Sequence, residues 1–257
     1  MTSKRVVEDK WDFYPCQVDG APASIFLNLW FEDTSPLSPA DTLYRARIVM
    51  RDKAEHGMGS AEEAAVLHPF EDRLVSFAKQ LSLFHVGRLR NHGAWDLVFY
   101  GPPGLLESFH ALSHGIDGLD GRELEVGSKP DPSWECYRGF LLPDTERRQW
   151  MRNRSVVEAL ERAGDLAAVA RRVDHWVYFS TKRSRASFAR VAARAGFTVE
   201  DAINSPADEH GFGARVHRSD IVELAHIHSV VMHLVELAGQ HQGDYDGWET
   251  SVEKTLR

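Results

Sequence analysis

Residues 172–180 read RVDHWVYFS, and the second half of the chain is organised around them. The β-branched and aromatic residues of this stretch fit a pleated, half-buried surface, so it predicts a strand. Residues 184–195 predict a helix with Phe188, Val191 and Ala195 inward and Gly196 just past its end. Residues 197–204 and 212–218 predict two strands joined by SPADEHG. Asp220 is placed to cap a long helix over 221–240, and 245–252 predict a last edge strand. The order is β-α-β-β-α-β, which is the ferredoxin-like order.

Working outward, residues 145–163 predict a helix carrying Trp150, Val157 and Leu160 and ended by Gly164-Asp165. Pro143 and Asp144 mark a break before it. The first half opens on a strand at 11–18 that runs into Asp19-Gly20, a hairpin signal. Residues 24–31 (SIFLNLWF) follow, with Ile25, Leu27, Leu29 and Phe31 on one face of a period-2 pattern. After that hairpin comes a third strand at 42–50. His68-Pro69 opens a helix to about 84, and strands at 86–90 and 95–100 pair across residues 91–94. A short helix at 104–113 and strands at 123–126 and 134–141 complete the half. After its hairpin the first half spells the same β-α-β-β-α-β order. The expected fold is α+β: two ferredoxin-like (βαββαβ) sandwich domains, 1–142 and 143–257, the first with an added N-terminal β-hairpin. Each is an antiparallel sheet with helices on one face.

The chain has 257 residues and a formal net charge of −8, with 43% hydrophobic and 26% charged residues. That mix belongs to a globular protein and is too apolar for a wholly disordered one. Two cysteines, Cys16 and Cys136, cannot build a disulfide scaffold or a four-thiolate zinc site. Residues 1–13 hold no apolar signal region and no stretch is apolar enough to span a membrane, so a cytoplasmic protein is expected. The charge is segmented. Residues 1–142 carry a net of −7, residues 147–194 a net of +8, and residues 195–257 a net of −7. A basic segment of this kind meets phosphate or an acidic protein surface, or is simply the solvated face of two helices.

Motifs of catalysis are absent: there is no GxGxxG, GxxxxGK[ST], HExxH or GxSxG. No catalytic residue, cofactor or metal site is assigned. His110 and His114 are four apart on a short helix, a spacing that can present two imidazoles to one metal, but no third ligand accompanies them. Trp150, Trp176, Tyr178 and Phe179 lie in the basic stretch, and aromatics on a sheet can stack RNA bases. The strand around them lacks the RNP signature and the chain is acidic, which disfavours direct nucleic-acid binding.

The most specific string is Gly243-Asp244-Tyr245-Asp246-Gly247-Trp248-Glu249-Thr250. Tyr and Trp join apolar bodies to polar tips, Asp246-Gly247 marks a tight turn, and Asp244, Asp246 and Glu249 are acceptors. Either Trp248 anchors the last strand beneath the long helix, or the string is an acidic, aromatic edge presented to a basic partner.

This string and its context resemble the RraB family, the regulators of ribonuclease E activity B. The resemblance rests on Gly164-Asp165 after the leading helix, Asp174-His175 before the aromatic strand, Gly196-Phe197 after the next helix, and Tyr245-Asp246-Gly247-Trp248-Glu249-Thr250. It covers about residues 150–252. Residues 8–141, with Trp11-Asp12-Phe13-Tyr14 and the strand at 23–28, resemble a bacterial domain of unknown function found fused to this module. The resemblance implies a non-enzymatic protein-binding regulator that binds a ribonuclease and lowers its activity by masking it. A basic, disordered region of the nuclease is then the expected contact, and Asp244, Tyr245, Asp246, Trp248 and Glu249 are the candidate contact edge. The alternatives are an enzyme with an inter-domain site, using Asp174 and His175 as acid–base groups, or a direct RNA-binding module.

Overall fold

The structure is a computed structural model that describes residues 7–200 and 211–254. It is a mixed α+β protein with antiparallel sheets, in two compact units, Met1–Arg147 and Arg148–Arg257.

The first unit runs β1 (Trp11–Val18), β2 (Ala21–Asn28), α1 (Phe31–Thr34), β3 (Thr42–Val49), α2 (Ala61–Ala78), β4 (Phe84–Asn91), β5 (Ala94–Gly101), α3 (Leu106–His114) and β6 (Leu124–Pro130). Its six strands stand in the order β1-β2-β4-β5-β3-β6, every pair antiparallel. The β4–β5 connection is tighter than the four-residue loop expected. Only His92 and Gly93 lie outside the ladder, with φ of 47° and 74°, the left-handed pair that matches strand twist in a two-residue hairpin.

Several expected boundaries shift, each for a local reason. The helix expected to open at Pro69 begins eight residues earlier, and Pro69 lies inside it. Ser60 Oγ accepts the Glu63 N–H at 3.1 Å, a cap that outranks the proline as a start signal. The helix stops at Ala78, so Phe84 belongs to β4 rather than to the helix. The strand expected to reach Phe31 ends at Asn28, whose Oδ1 accepts the Trp30 N–H at 3.0 Å and turns the chain into α1.

The largest correction is at residues 134–141, expected as a strand. Cys136–Leu141 is a helical turn. The Asp131 carboxylate accepts the N–H groups of Glu135 (2.8 Å) and Cys136 (3.0 Å), capping it as an N-terminal aspartate does. This turn changes the layering. α2 and α3 cover one sheet face, over Tyr44, Ala46, Ile48, Trp95, Leu97 and Phe99. On the other face Trp134 stacks on Tyr100, with ring centroids 4.0 Å apart, and donates to Ala40 O at 2.6 Å. The Tyr137 hydroxyl donates to Asn28 O at 2.7 Å. The first sheet is therefore not covered on one face only, and β5 is buried along its whole length.

The second unit follows with α4 (Thr145–Arg162), β7 (Arg171–Phe179), α5 (Lys182–Arg194), β8 (Thr198–Val199), β9 (Phe212–Asp220), α6 (Leu224–Gln240) and β10 (Gly243–Thr250). The sheet order is β10-β7-β9-β8, again antiparallel throughout. In both units four strands thus share one permutation: last, first, third, second. The expected strand at 197–204 is seen as β8; its residues 201–204, and 205–210 of the connection, lie outside the described residues. Asp220 does not cap α6, which starts at Leu224. It closes β9 and takes Arg218 Nε (2.9 Å) and His226 Nε2 (2.9 Å). The core joins Val173, Val177, Phe188, Ile227, Leu234 and Trp248.

Candidate partner-binding surface

Alternation along β7 sorts its residues onto two faces. Val173, His175, Val177 and Phe179 point into the core; Arg172, Asp174, Trp176 and Tyr178 lie on the open face. β10 pairs with β7 as Asp244↔Tyr178, Tyr245↔Val177, Gly247↔Trp176, Trp248↔His175 and Glu249↔Asp174. Asp246 is the extra residue of a bulge, which lets both Tyr245 and Trp248 face inward three residues apart.

The candidate contact residues therefore separate. Trp248 is only 8% exposed, and its Nε1–H donates to Asn153 Oδ1 of α4 at 3.0 Å. Asn153 Oδ1 also accepts from Gln149 Nε2 at 3.0 Å, and Asn153 Nδ2 meets His228 Nδ1 of α6 at 3.1 Å. Tyr245 is half-buried, its hydroxyl hydrogen-bonded to His175 Nδ1 at 2.9 Å. Burial pushes the Tyr245 phenol up and pulls the His175 imidazole down to about 4. The expected aromatic edge is thus not presented to solvent: an indole with a buried hydrogen bond to Asn153 gains more inside the core than outside it. Asp244, Asp246 and Glu249 are exposed and remain on the edge strand.

The other motif positions tie the unit together. Gly164 ends α4 with φ of 79°, and Asp165 takes both terminal nitrogens of Arg171 (2.6 and 2.7 Å) and the Glu253 N–H (2.7 Å). Gly196 ends α5 with φ of 87°, which turns Phe197 into the core against His175. Thr250 Oγ1 donates to Arg172 O at 2.7 Å, pinning the end of β10.

The open face carries a cluster that motif reading missed. Arg172 and Arg215 both bind Asp174 (2.7 and 3.0 Å) and both pair with Glu200, which His217 approaches at 3.7 Å. Burial pushes Asp174 up, and the two arginines more than offset it, holding it below the usual carboxylate value. The Arg215 guanidinium lies 5.4 Å from the Trp176 ring. The arginines are thus largely neutralised where they stand. Period-2 alternation of β7 carried the signal for this grouping. Asp174 and His175, weighed as an acid–base pair, face opposite sides of the sheet and do not converge. His110 and His114 stack on each other at 4.0 Å, and no group of three metal-ligating side chains occurs among the described residues. No helix among the described residues is long and apolar enough to cross a membrane.

Residues 150–250 match the family model described as regulator of ribonuclease activity B, and residues 9–142 match a family of unknown function, DUF695. No curated protein matches the chain. Among solved structures it is similar to an unknown protein from Galdieria sulphuraria at 11% identity, over 83% of this chain and 99% of that one, with a TM-score of 0.23. A score that low carries no fold argument.

Proposed function

We propose that this chain, which belongs to the family of unknown function DUF695 and carries behind it a module of the regulator of ribonuclease activity B family, is a non-enzymatic, cytoplasmic regulator of a ribonuclease. The match over residues 150–250 carries this reading. The module binds the nuclease and lowers its activity by steric and electrostatic masking, with no bond chemistry. The contact is the β10 edge, where Asp244, Asp246 and Glu249 suit a basic segment of the partner. Both units are read as ferredoxin-like sandwiches, the first extended by the β1–β2 hairpin, and the shared strand permutation supports this.

The test is a pull-down and RNA-cleavage assay with the source ribonuclease. Replacing Asp244, Asp246 and Glu249 together by Asn, Asn and Gln weakens binding and flattens its salt dependence. Inhibition unchanged by the triple variant counts against the edge, and absence of any nuclease binding counts against the function. A second reading is direct RNA binding, favoured by Trp176 and Tyr178 side by side on the open face. Its arginines are already engaged by Asp174 and Glu200, which weakens it. A labelled RNA that does not shift at low salt ends it.

A further inference from the structure

The first unit holds a cavity of about 370 Å³ on the sheet face away from α2 and α3. Leu43, Leu89 and Phe140 give it apolar walls, and its charged lining is Arg45 of β3, Asp96 of β5 and Lys129 of β6. Asp96 is closed to any guest. It is 3% exposed, its Oδ2 accepts from Arg47 Nη1 at 3.1 Å, and its Oδ1 is sealed from solvent with Arg45 Nε 3.6 Å away. The two cations are open. The Arg45 side chain is half exposed, and its terminal nitrogens make no hydrogen bond among the described residues. Lys129 is exposed and makes no ion pair among them. Asp131, on which Lys129 acts at longer range, already accepts the N–H groups of Glu135 and Cys136.

The strand register brings these two cations together. Arg45 is directly opposite Gly127 and Leu43 directly opposite Lys129, so Arg45 and Lys129 are diagonal neighbours on one sheet face. Long side chains meet at that spacing, and like charges so placed repel unless an anion stands between them. Glu125, the next acid on that face of β6, is opposite Arg47 instead. Gly127 adds an independent sign. A glycine inside a strand loses packing and often marks where a ligand approaches the backbone. A Cβ built at Gly127 would meet nothing within 4 Å, so no protein atom claims the space beside the cations.

We propose that this cavity binds an apolar monocarboxylate, such as a medium-chain fatty acid or an arylalkanoate. Its carboxylate accepts from the Arg45 guanidinium and the Lys129 ammonium above Gly127, and its tail lies among Leu43, Leu89 and Phe140. The charged groups open to the cavity are donors only, so the head group they hold is an acceptor. A planar carboxylate matches the guanidinium fork and carries a single charge, which limits its repulsion by the nearby Asp96. An amine would meet two cations and no accessible carboxylate. An anion without a tail would leave the apolar walls wet. The volume sits at the small end of ligand pockets, in keeping with a ligand of this size.

Calorimetric titration of the full chain with octanoate, decanoate and 3-phenylpropionate, each below its micelle-forming concentration, tests the proposal. At least one binds saturably. The matching amine and alcohol (octylamine and octanol for octanoate) and acetate bind about tenfold or more weakly. Lys129→Gln lowers the affinity about threefold or more and leaves the melting temperature unchanged, because that side chain is exposed and unpaired. Gly127→Leu fills the empty space and abolishes binding, while an unchanged circular dichroism spectrum separates a blocked site from an unfolded one. No saturable binding of any of the three up to millimolar concentration overturns the proposal. So does binding of the alcohol or of acetate as tight as that of the apolar acid, or unchanged affinity in Lys129→Gln or in a folded Gly127→Leu protein.

Discussion

Trp248→Ala removes a side chain that joins three elements of the second unit. The indole is 8% exposed, packs in the core with Val173, Val177 and Leu234, and donates to Asn153 Oδ1 at 3.0 Å. Truncating a buried Trp to Ala costs about 3–5 kcal/mol. Losing a buried hydrogen bond adds about 1 kcal/mol. A domain of this size has a net stability of about 5–15 kcal/mol. The sum removes most of it at the lower end and, at several degrees per kcal/mol, lowers the melting temperature by roughly 20 °C or more. Trp248→Phe keeps most of the ring and loses the N–H donor, so it costs about 1–2 kcal/mol. Asn153 Oδ1 still has Gln149 Nε2 in that variant. Hydrogen exchange on the full chain, followed peptide by peptide, reads the second unit separately. The alanine variant loses protection in β7, α6 and β10, whereas the phenylalanine variant loses little. Native protection across β7 in the alanine variant, or equal losses in the two variants, refutes the reasoning. The consequence for function is direct: loss of nuclease binding by Trp248→Ala reports unfolding, so only the exposed carboxylates test the surface.

Charge reversal of Asp244, Asp246 and Glu249 to Lys changes the second unit's unfolding free energy in urea by no more than about 0.5 kcal/mol per substitution, because these side chains are exposed. It removes attraction for a basic partner, seen as a slower association rate at low salt. His175 is buried and neutral, its imidazole pulled from the ordinary 6.5 to about 4 by burial. The unfolded chain therefore binds the extra proton first. Stability is complete above about pH 6.5, falls as the pH drops towards 4, and the full loss is about 3 kcal/mol. His175→Phe flattens that slope in pH-dependent urea melts; an unchanged slope sinks the assignment. Glu63 is buried with Arg122 at 2.7 Å and also accepts the Arg51 N–H at 3.1 Å. Glu63→Gln leaves the Arg122 charge with only the exposed Asp120 carboxylate at 3.8 Å and costs about 3 kcal/mol in thermal melts of the first unit. A loss below 1 kcal/mol counts against a structural role for the pair.

Much of the second unit is legible in the amino-acid sequence. Residues 171–179 carry alternating core residues, and Gly196 and Gly164 stand where helices end with positive φ. Errors fell where a local rule met a longer-range partner. Pro69 looks like a helix start until Ser60 caps a turn upstream. Residues 134–141 look like a strand because Trp134, Tyr137, Phe140 and Leu141 are apolar, and only the Asp131 cap bends them into a helical turn. In the candidate surface, Asp244, Asp246 and Glu249 were readable as a group of acceptors. That Tyr245 and Trp248 leave them for the core was not.

What the sequence determined alone is the order of elements, the segmentation of charge and the membership of the terminal motif, because periodicity and turn chemistry act over a few residues. The tertiary structure decided which of those residues meet solvent. A strand's two faces become core and surface only when a sheet has neighbours, and the bulge at Asp246 reassigns the faces midway along β10. Likewise Asp96, Arg45 and Gly127 are 51, 82 and 31 positions apart pairwise in the chain. They share one cavity only because β3 pairs with both β5 and β6.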